Sequence, residues 1–127
     1  MNQPRPLRLF LVEDEALIAM ELEDIVEDLG HEVVGLASSV ETALEALREL
    51  VPPADAAIVD ANLGGSLASP VVAELKRRNV PTVLASGYSR SELSGIGFDG
   101  PMVSKPYTAA DIRKVLSECL VARDTAL

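Results

Sequence analysis

The chain is predicted to fold as an α/β domain, a doubly wound five-stranded parallel sheet with helices on both faces. Three observations lead there. Short apolar runs rich in β-branched residues alternate with segments of helical period, the pattern of successive βα units. The 127 residues suffice for one core and leave no room for a second. Finally, three of the apolar runs end on reactive groups: Leu7 to Val12 leads into Glu13-Asp14, Ala56 to Val59 into Asp60, and Pro101 to Ser104 into Lys105. In a parallel sheet those ends share the carboxyl edge, where open α/β sheets bind ligands.

The elements follow in order. Leu7 to Val12 is the first strand, and the helix after it places Ile18, Leu22, Ile25, Val26 and Leu29 on one face, with Gly30 as its stop. His31 to Ala37 is the second strand. Ser38 and Glu41 have the spacing of a capping box, and Val40, Ala43, Leu44, Leu47 and Leu50 then recur at helical period until Pro52-Pro53. The third strand, Ala56 to Asp60, opens into a loop through Gly64-Gly65. Ser69 as N-cap with Pro70 at the first helical position starts a helix that runs to about Arg78.

Pro81 to Ala85 is the fourth strand, its proline near the start, where a missing donor is tolerated. Between Ser89 and Gly100, three glycines raise the cost of ordering the backbone, so at most a short, mobile turn of helix is expected. Thr108 caps the last helix, whose buried face is Ile112, Val115, Leu116, Cys119 and Leu120. Strand order 2-1-3-4-5 is chosen because it makes Glu13, Asp14 and Asp60 converge; right-handed crossovers then put helices on both faces.

Composition narrows the function. The net charge of −9 argues against nucleic acid and against anionic membrane surfaces, both of which are bound through Lys and Arg. One cysteine permits no internal disulfide and no cysteine-based metal site, as expected of a reducing, cytoplasmic compartment. No run has signal-peptide character or approaches the roughly 20 apolar residues of a membrane span. Phosphate-loop and dinucleotide fingerprints are absent from the sequence.

What remains is an acidic cation site beside a candidate nucleophile, Asp60. The ordered set Leu11-Val12-Glu13-Asp14-Glu15, Ile58-Val59-Asp60, Ala85-Ser86-Gly87 and Lys105-Pro106 resembles the receiver domains of two-component response regulators, whose sheet is flavodoxin-like. The resemblance spans about 7–122 and treats 1–127 as a single receiver domain, of the stand-alone type. The stretch Pro81 to Tyr88 with Lys105-Pro106-Tyr107 is similar to a subgroup with a Phe-Ala-Thr-Gly-Tyr-like fourth strand, in which Ser86 here replaces the Thr. Members of that subgroup often serve HWE-type or related histidine kinases.

That resemblance implies a phosphoacceptor signalling protein that catalyses only its own phosphorylation and dephosphorylation. Asp60 would take a phosphoryl group from a sensor histidine kinase or histidine phosphotransfer protein and relay or drain the signal to a downstream protein. Mg2+ would be held by Asp14, Asp60 and the main-chain carbonyl of Asn62, with Glu13 partly through water, since magnesium takes oxygen ligands and keeps several waters. Lys105 would pair with one phosphoryl oxygen and the Ser86 hydroxyl with another. A cis bond is implied before Pro106. Met102 stands where receivers usually carry an aromatic switch, which implies another output route, through ordering of Ser89 to Gly100 or through Tyr88 or Tyr107.

Simpler roles compete. Asp14 could only cap the first helix, Glu13 be a solvated charge, Asp60 satisfy loop amides and Lys105 lie on the surface. His31 has no second histidine to pair with, Cys119 reads as core, and Arg113 with Lys114 read as a solvated face. Two further functions are open. One is a degenerate receiver that binds protein irrespective of phosphorylation. The other is an aspartate-nucleophile phosphohydrolase, which would place a general acid two residues after Asp60, where Asn62 stands.

Overall fold

A computed structural model describes residues 5–87, 98 and 100–125. Five strands form one parallel sheet: β1 (Arg8–Val12), β2 (Glu32–Ala37), β3 (Ala56–Asp60), β6 (Thr82–Ser86) and β7 (Met102–Ser104), in the order β2-β1-β3-β6-β7. This is the expected 2-1-3-4-5 arrangement. A two-stranded antiparallel hairpin, β4 (Asn62–Leu63) and β5 (Ser66–Leu67), replaces the expected loop. The helices among the described residues are α1 (Ala16–Asp28), α2 (Val40–Glu49), α3 (Ser69–Arg77) and α4 (Ala109–Thr125). None is long and apolar enough to cross a membrane.

Strand alternation divides the core. Phe10, Val12, Ala57, Val59 and Leu84 pack with Ala43 and Leu47 of α2 and Val71 and Leu75 of α3. Leu9, Leu11, Ile58, Val83 and Val103 point the other way, toward Leu22 and Val26 of α1 and Ile112, Leu116 and Cys119 of α4. Cys119 is therefore a core residue, as expected. Successive side chains of a strand face opposite sides; hence one short run of apolar residues serves two helical layers.

Helix ends follow local chemistry. α1 and α3 both stop in a Schellman arrangement: the Gly30 and His31 amides donate to the Glu27 and Val26 carbonyls, and those of Asn79 and Val80 to Lys76 and Leu75. The residue at the left-handed position is Gly30 (φ 96°) in one and Asn79 (φ 59°) in the other. Two starts differ from expectation. The capping box is Ser39 with Thr42, not Ser38 with Glu41, because Ala37 still pairs with Val12 and the chain needs another residue to leave the sheet. Ser69 is the first helical residue of α3 and not its cap, so Pro70 sits one position further in, where its missing donor is still unneeded.

His31 precedes β2 and does not belong to it; its Nδ1 accepts the Leu7 amide at 3.1 Å, and burial lowers its pKa. The peptide bonds before Pro52 and Pro106 are both cis, the second as the resemblance implied. Of the segment from Ser89 to Gly100, only residues 98 and 100 are described, and Tyr88 also lies outside the described residues.

The β1–β2 register slips between Leu9 and Phe10, which leaves Val34 without a partner and sets Gly35 opposite Phe10. A Cβ on Gly35 would lie 2.7 Å from the fully buried Phe10 ring. Gly35→Ala should therefore cost about 1–3 kcal/mol of stability through overpacking. Urea unfolding checks this, and a variant as stable as the parent contradicts the contact.

Candidate functional site

Strand ends deliver the acids. β1 finishes at Val12 and the Glu13 amide still donates to the Ala37 carbonyl, which turns Glu13 and Asp14 over the carboxyl edge of the sheet. One strand over, Asp60 is the last residue of β3 and lies opposite Ala85. Glu13 and Asp60 are buried at 3% and 7% exposure, and Asp14 is more open. Carboxylate oxygens of all three lie within 4.8 Å of one another. At that separation like charges repel strongly, more so where water is excluded.

Lys105 offsets part of that repulsion. Its amide donates to the Ser86 carbonyl, which carries it one residue past β7, and its Nζ lies 2.9 Å from both Glu13 Oε1 and Asp60 Oδ2. Burial alone would lower the lysine pKa, but its hydrogen bonds to Asp60 and Glu13 outweigh that and hold it above the ordinary value. Glu13 moves up to about 7, driven first by burial and opposed by Lys105 and the Glu15 amide. Three acids and one base leave a net negative pocket of hard oxygen donors.

Each remaining carboxylate oxygen with a partner is held by backbone. Glu13 Oε2 accepts the Glu15 amide at 3.1 Å, Asp60 Oδ1 accepts the Asn62 amide at 3.2 Å, and Asp14 Oδ2 accepts the Gly64 amide at 3.0 Å. Asp14 does not cap α1: the N-cap is Glu15, which makes no side-chain capping bond. Ser86, the buried last residue of β6, stands one position beyond the partner of Asp60. Met102 is half-buried and packs toward α2 and α3, whereas Tyr107 packs toward α1 and α4 with its hydroxyl buried.

Glu13, Asp60 and Lys105 are thus brought together by direct contacts and Asp14 by proximity within 4.8 Å, with Ser86 at the end of β6 and Asn62 at the start of β4 beside them. The contact between the β4–β5 turn and Asp14 was not foreseen. Gly64-Gly65 between Asn62-Leu63 and Ser66-Leu67 carries a hairpin signal that could have revealed the turn, though not what it touches.

No family model matches the chain. It is 32% identical over 123 residues to the Phyllosphere-induced regulator PhyR of Methylorubrum extorquens, a match covering 93% of this chain and 45% of that protein. The chain spans about half the length of the curated relatives it matches. The solution structure of SdrG from Sphingomonas melonis Fr1 is 37% identical, with a TM-score of 0.78 over 94% of this chain and 99% of that one. The Erythrobacter litoralis PhyR response regulator REC domain superposes with a TM-score of 0.79 at 29% identity, covering 91% of each chain. Fold, strand order and full-length similarity to SdrG agree, and the chain belongs to the response regulator receiver family.

Proposed function

We propose that the domain accepts a phosphoryl group from a phosphohistidine of a sensor kinase or phosphotransfer protein onto Asp60, in a Mg2+-dependent step in the cytoplasm. The observation that carries this reading is the meeting of Asp60, two further carboxylates and Lys105 at one sheet edge. One oxygen of Asp60 faces Lys105 and the other the Asn62 amide, so the nucleophile is held at both ends. Attack forms a phosphorus–oxygen bond to Asp60 as the phosphorus–nitrogen bond to histidine breaks, and the imidazole leaves. Such transfers rely on positioning and on neutralising the transferring oxygens.

Asp14, Asp60 and the Asn62 main-chain carbonyl are the proposed magnesium ligands, with Glu13 partly through water. The donor set fits: all are hard oxygens, and their charge exceeds what Lys105 can balance. When bound, the cation supplies positive charge to the phosphoryl oxygens. Lys105 then exchanges a carboxylate for a phosphoryl oxygen and Ser86 donates its hydroxyl to another, contacts that exist only in the modified state. They bias the conformations presented to a downstream protein. A phosphotransfer profile against the histidine kinases of the source organism tests the reading; failure of every kinase to label the protein overturns it.

The proton on Glu13 gives a pH dependence. A cation needs that carboxylate ionised, so below pH 7 its affinity should fall by up to about tenfold per pH unit as one proton is displaced. Mn2+ titrations between pH 5.5 and 8 measure the slope, which should flatten in Glu13→Gln.

Docking has a place beside the site. Met20 and Leu36, 59% and 44% exposed, line a recess of about 330 Å³ with Glu13 and Asp14, and Leu17 of α1 is 81% exposed. Large exposed apolar residues grouped in this way mark interaction surfaces. Met20→Asp should slow transfer from the kinase several-fold and leave labelling by acetyl phosphate unchanged; equal slowing of both would place the defect at Asp60 instead.

A further inference from the structure

The hairpin that follows Asp60 reaches back across the site. Its turn places the Gly64 amide 3.0 Å from Asp14 Oδ2, a residue fifty positions earlier. Gly64 and Gly65 have φ of 62° and 90°, the two positive values of a type I′ hairpin turn. The turn is tied at each step: the Gly65 amide donates to Asn62 Oδ1 at 2.9 Å, and the Asn62 amide donates to Asp60 Oδ1 at 3.2 Å. Its base is anchored as well, with Leu63 and Ala68 buried and the Ala68 amide bonded to the Ala61 carbonyl. A continuous run of contacts therefore leads from Asp60 through Asn62 and Gly65 to Gly64 and Asp14.

Asp14 needs such a tie. It is the most exposed of the three carboxylates, it has no lysine contact comparable with those of Glu13 and Asp60, and repulsion from its neighbours drives it toward water. A hydrogen bond from backbone fixes one of its oxygens and so limits how the carboxylate can swing away from its neighbours, whose ligand oxygens lie within 4.8 Å of its own.

We propose that the β4–β5 turn is a positioning element for the cation site, with Gly64 and Gly65 holding Asp14 in its ligating orientation before a cation arrives. This rests on reading the three carboxylates as a cation site. Neither glycine touches a cation or a phosphoryl group; both act through Asp14. Partners that orient a metal ligand characteristically change affinity by about 10–100-fold.

A Cβ at either glycine meets nothing within 4 Å, so substitutions act through the backbone alone. The φ of Gly64 suits Asn, whereas that of Gly65 lies beyond what a side chain readily adopts. Mn2+ is titrated into the unphosphorylated full chain and the unbound ion followed by electron paramagnetic resonance. Gly65→Ala should bind roughly tenfold or more weakly, Gly64→Asn like the parent, and Asp14→Ala hardly at all. Amide exchange of Gly64, read in the parent and in Asp14→Ala, should be faster in the variant; this does not depend on how stable Gly65→Ala proves to be. Equal Mn2+ affinity of Gly65→Ala and parent, or equal Gly64 exchange with and without the Asp14 carboxylate, overturns the positioning role while leaving the cation site standing. A parent that binds no Mn2+ removes the cation site itself.

Discussion

Asp60→Asn is expected to take up no phosphoryl group from either a kinase or acetyl phosphate, with labelling falling to background. The amide keeps the size of the side chain and an oxygen for Lys105, but its nitrogen is no nucleophile and no acyl phosphate can form on it. Removal of one buried negative charge also relieves Glu13, whose raised pKa owes part of its shift to Asp60. The fold should therefore survive, with melting temperature unchanged or higher, and the loss of labelling can be assigned to chemistry. Mass spectrometry of the intact protein distinguishes parent from variant. A variant that is labelled as fully as the parent would move the nucleophile elsewhere, with Glu13 and Asp14 the adjacent candidates.

The residues at stake were legible because strand alternation continues past the strand ends. Leu9 and Leu11 face α1 and α4, and Glu13 follows them at the same parity; Ile58 leads to Asp60 and Val103 to Lys105 in the same way. Three apolar runs of the right phase thus specify that their terminal charges meet on one side, once the strand order is assumed. Parity puts Ser86 with Leu84 and not with Ala85, which is why the sequence singles it out only through the resemblance.

Other features have no such local source. The slip at Val34 sets Gly35 against the Phe10 ring of the neighbouring strand, and neither residue alone announces it. Ser38-x-x-Glu41 fits the usual capping pattern and Ser39-x-x-Thr42 does not, yet the path by which the chain leaves β2 selects Ser39, with the Thr42 hydroxyl in place of a Glu or Gln side chain. The Gly64 tie to Asp14 joins residues fifty positions apart through a turn whose signal concerns only its own backbone. Features that follow from one element's own period, including the side to which each strand's terminal charge points, were readable, and those that depend on a specific contact between two elements were not.

Lys105→Met should have the largest effect on stability and on the switch. The side chains of Glu13, Asp60 and Lys105 are 2%, 8% and 20% exposed, so removing the ammonium strands two carboxylates where water can screen them little. Loss of one partner from a buried ion pair typically costs about 3–5 kcal/mol. The sign with pH follows from Glu13. Its folded pKa of about 7 lies above the ordinary 4.5, so the stability its protonation contributes is complete below pH 4.5 and is lost as pH rises through 7. Without the lysine, which holds the Glu13 pKa down, that loss deepens, and the deficit measured by urea unfolding should be largest near pH 8 and shrink toward pH 5. A divalent cation takes up the charge the lysine left behind, so the variant should bind Mn2+ more tightly than the parent and regain stability with it. Phosphorylation should still occur slowly, because Asp60 remains, yet the phosphoryl group finds no ammonium to draw across the sheet edge. Conformational response to beryllofluoride, read from the Ser86 and Met102 amide resonances, should then be lost. A variant as stable as the parent at pH 8, or one whose response is intact, would show that Lys105 neither balances the pocket nor drives the switch.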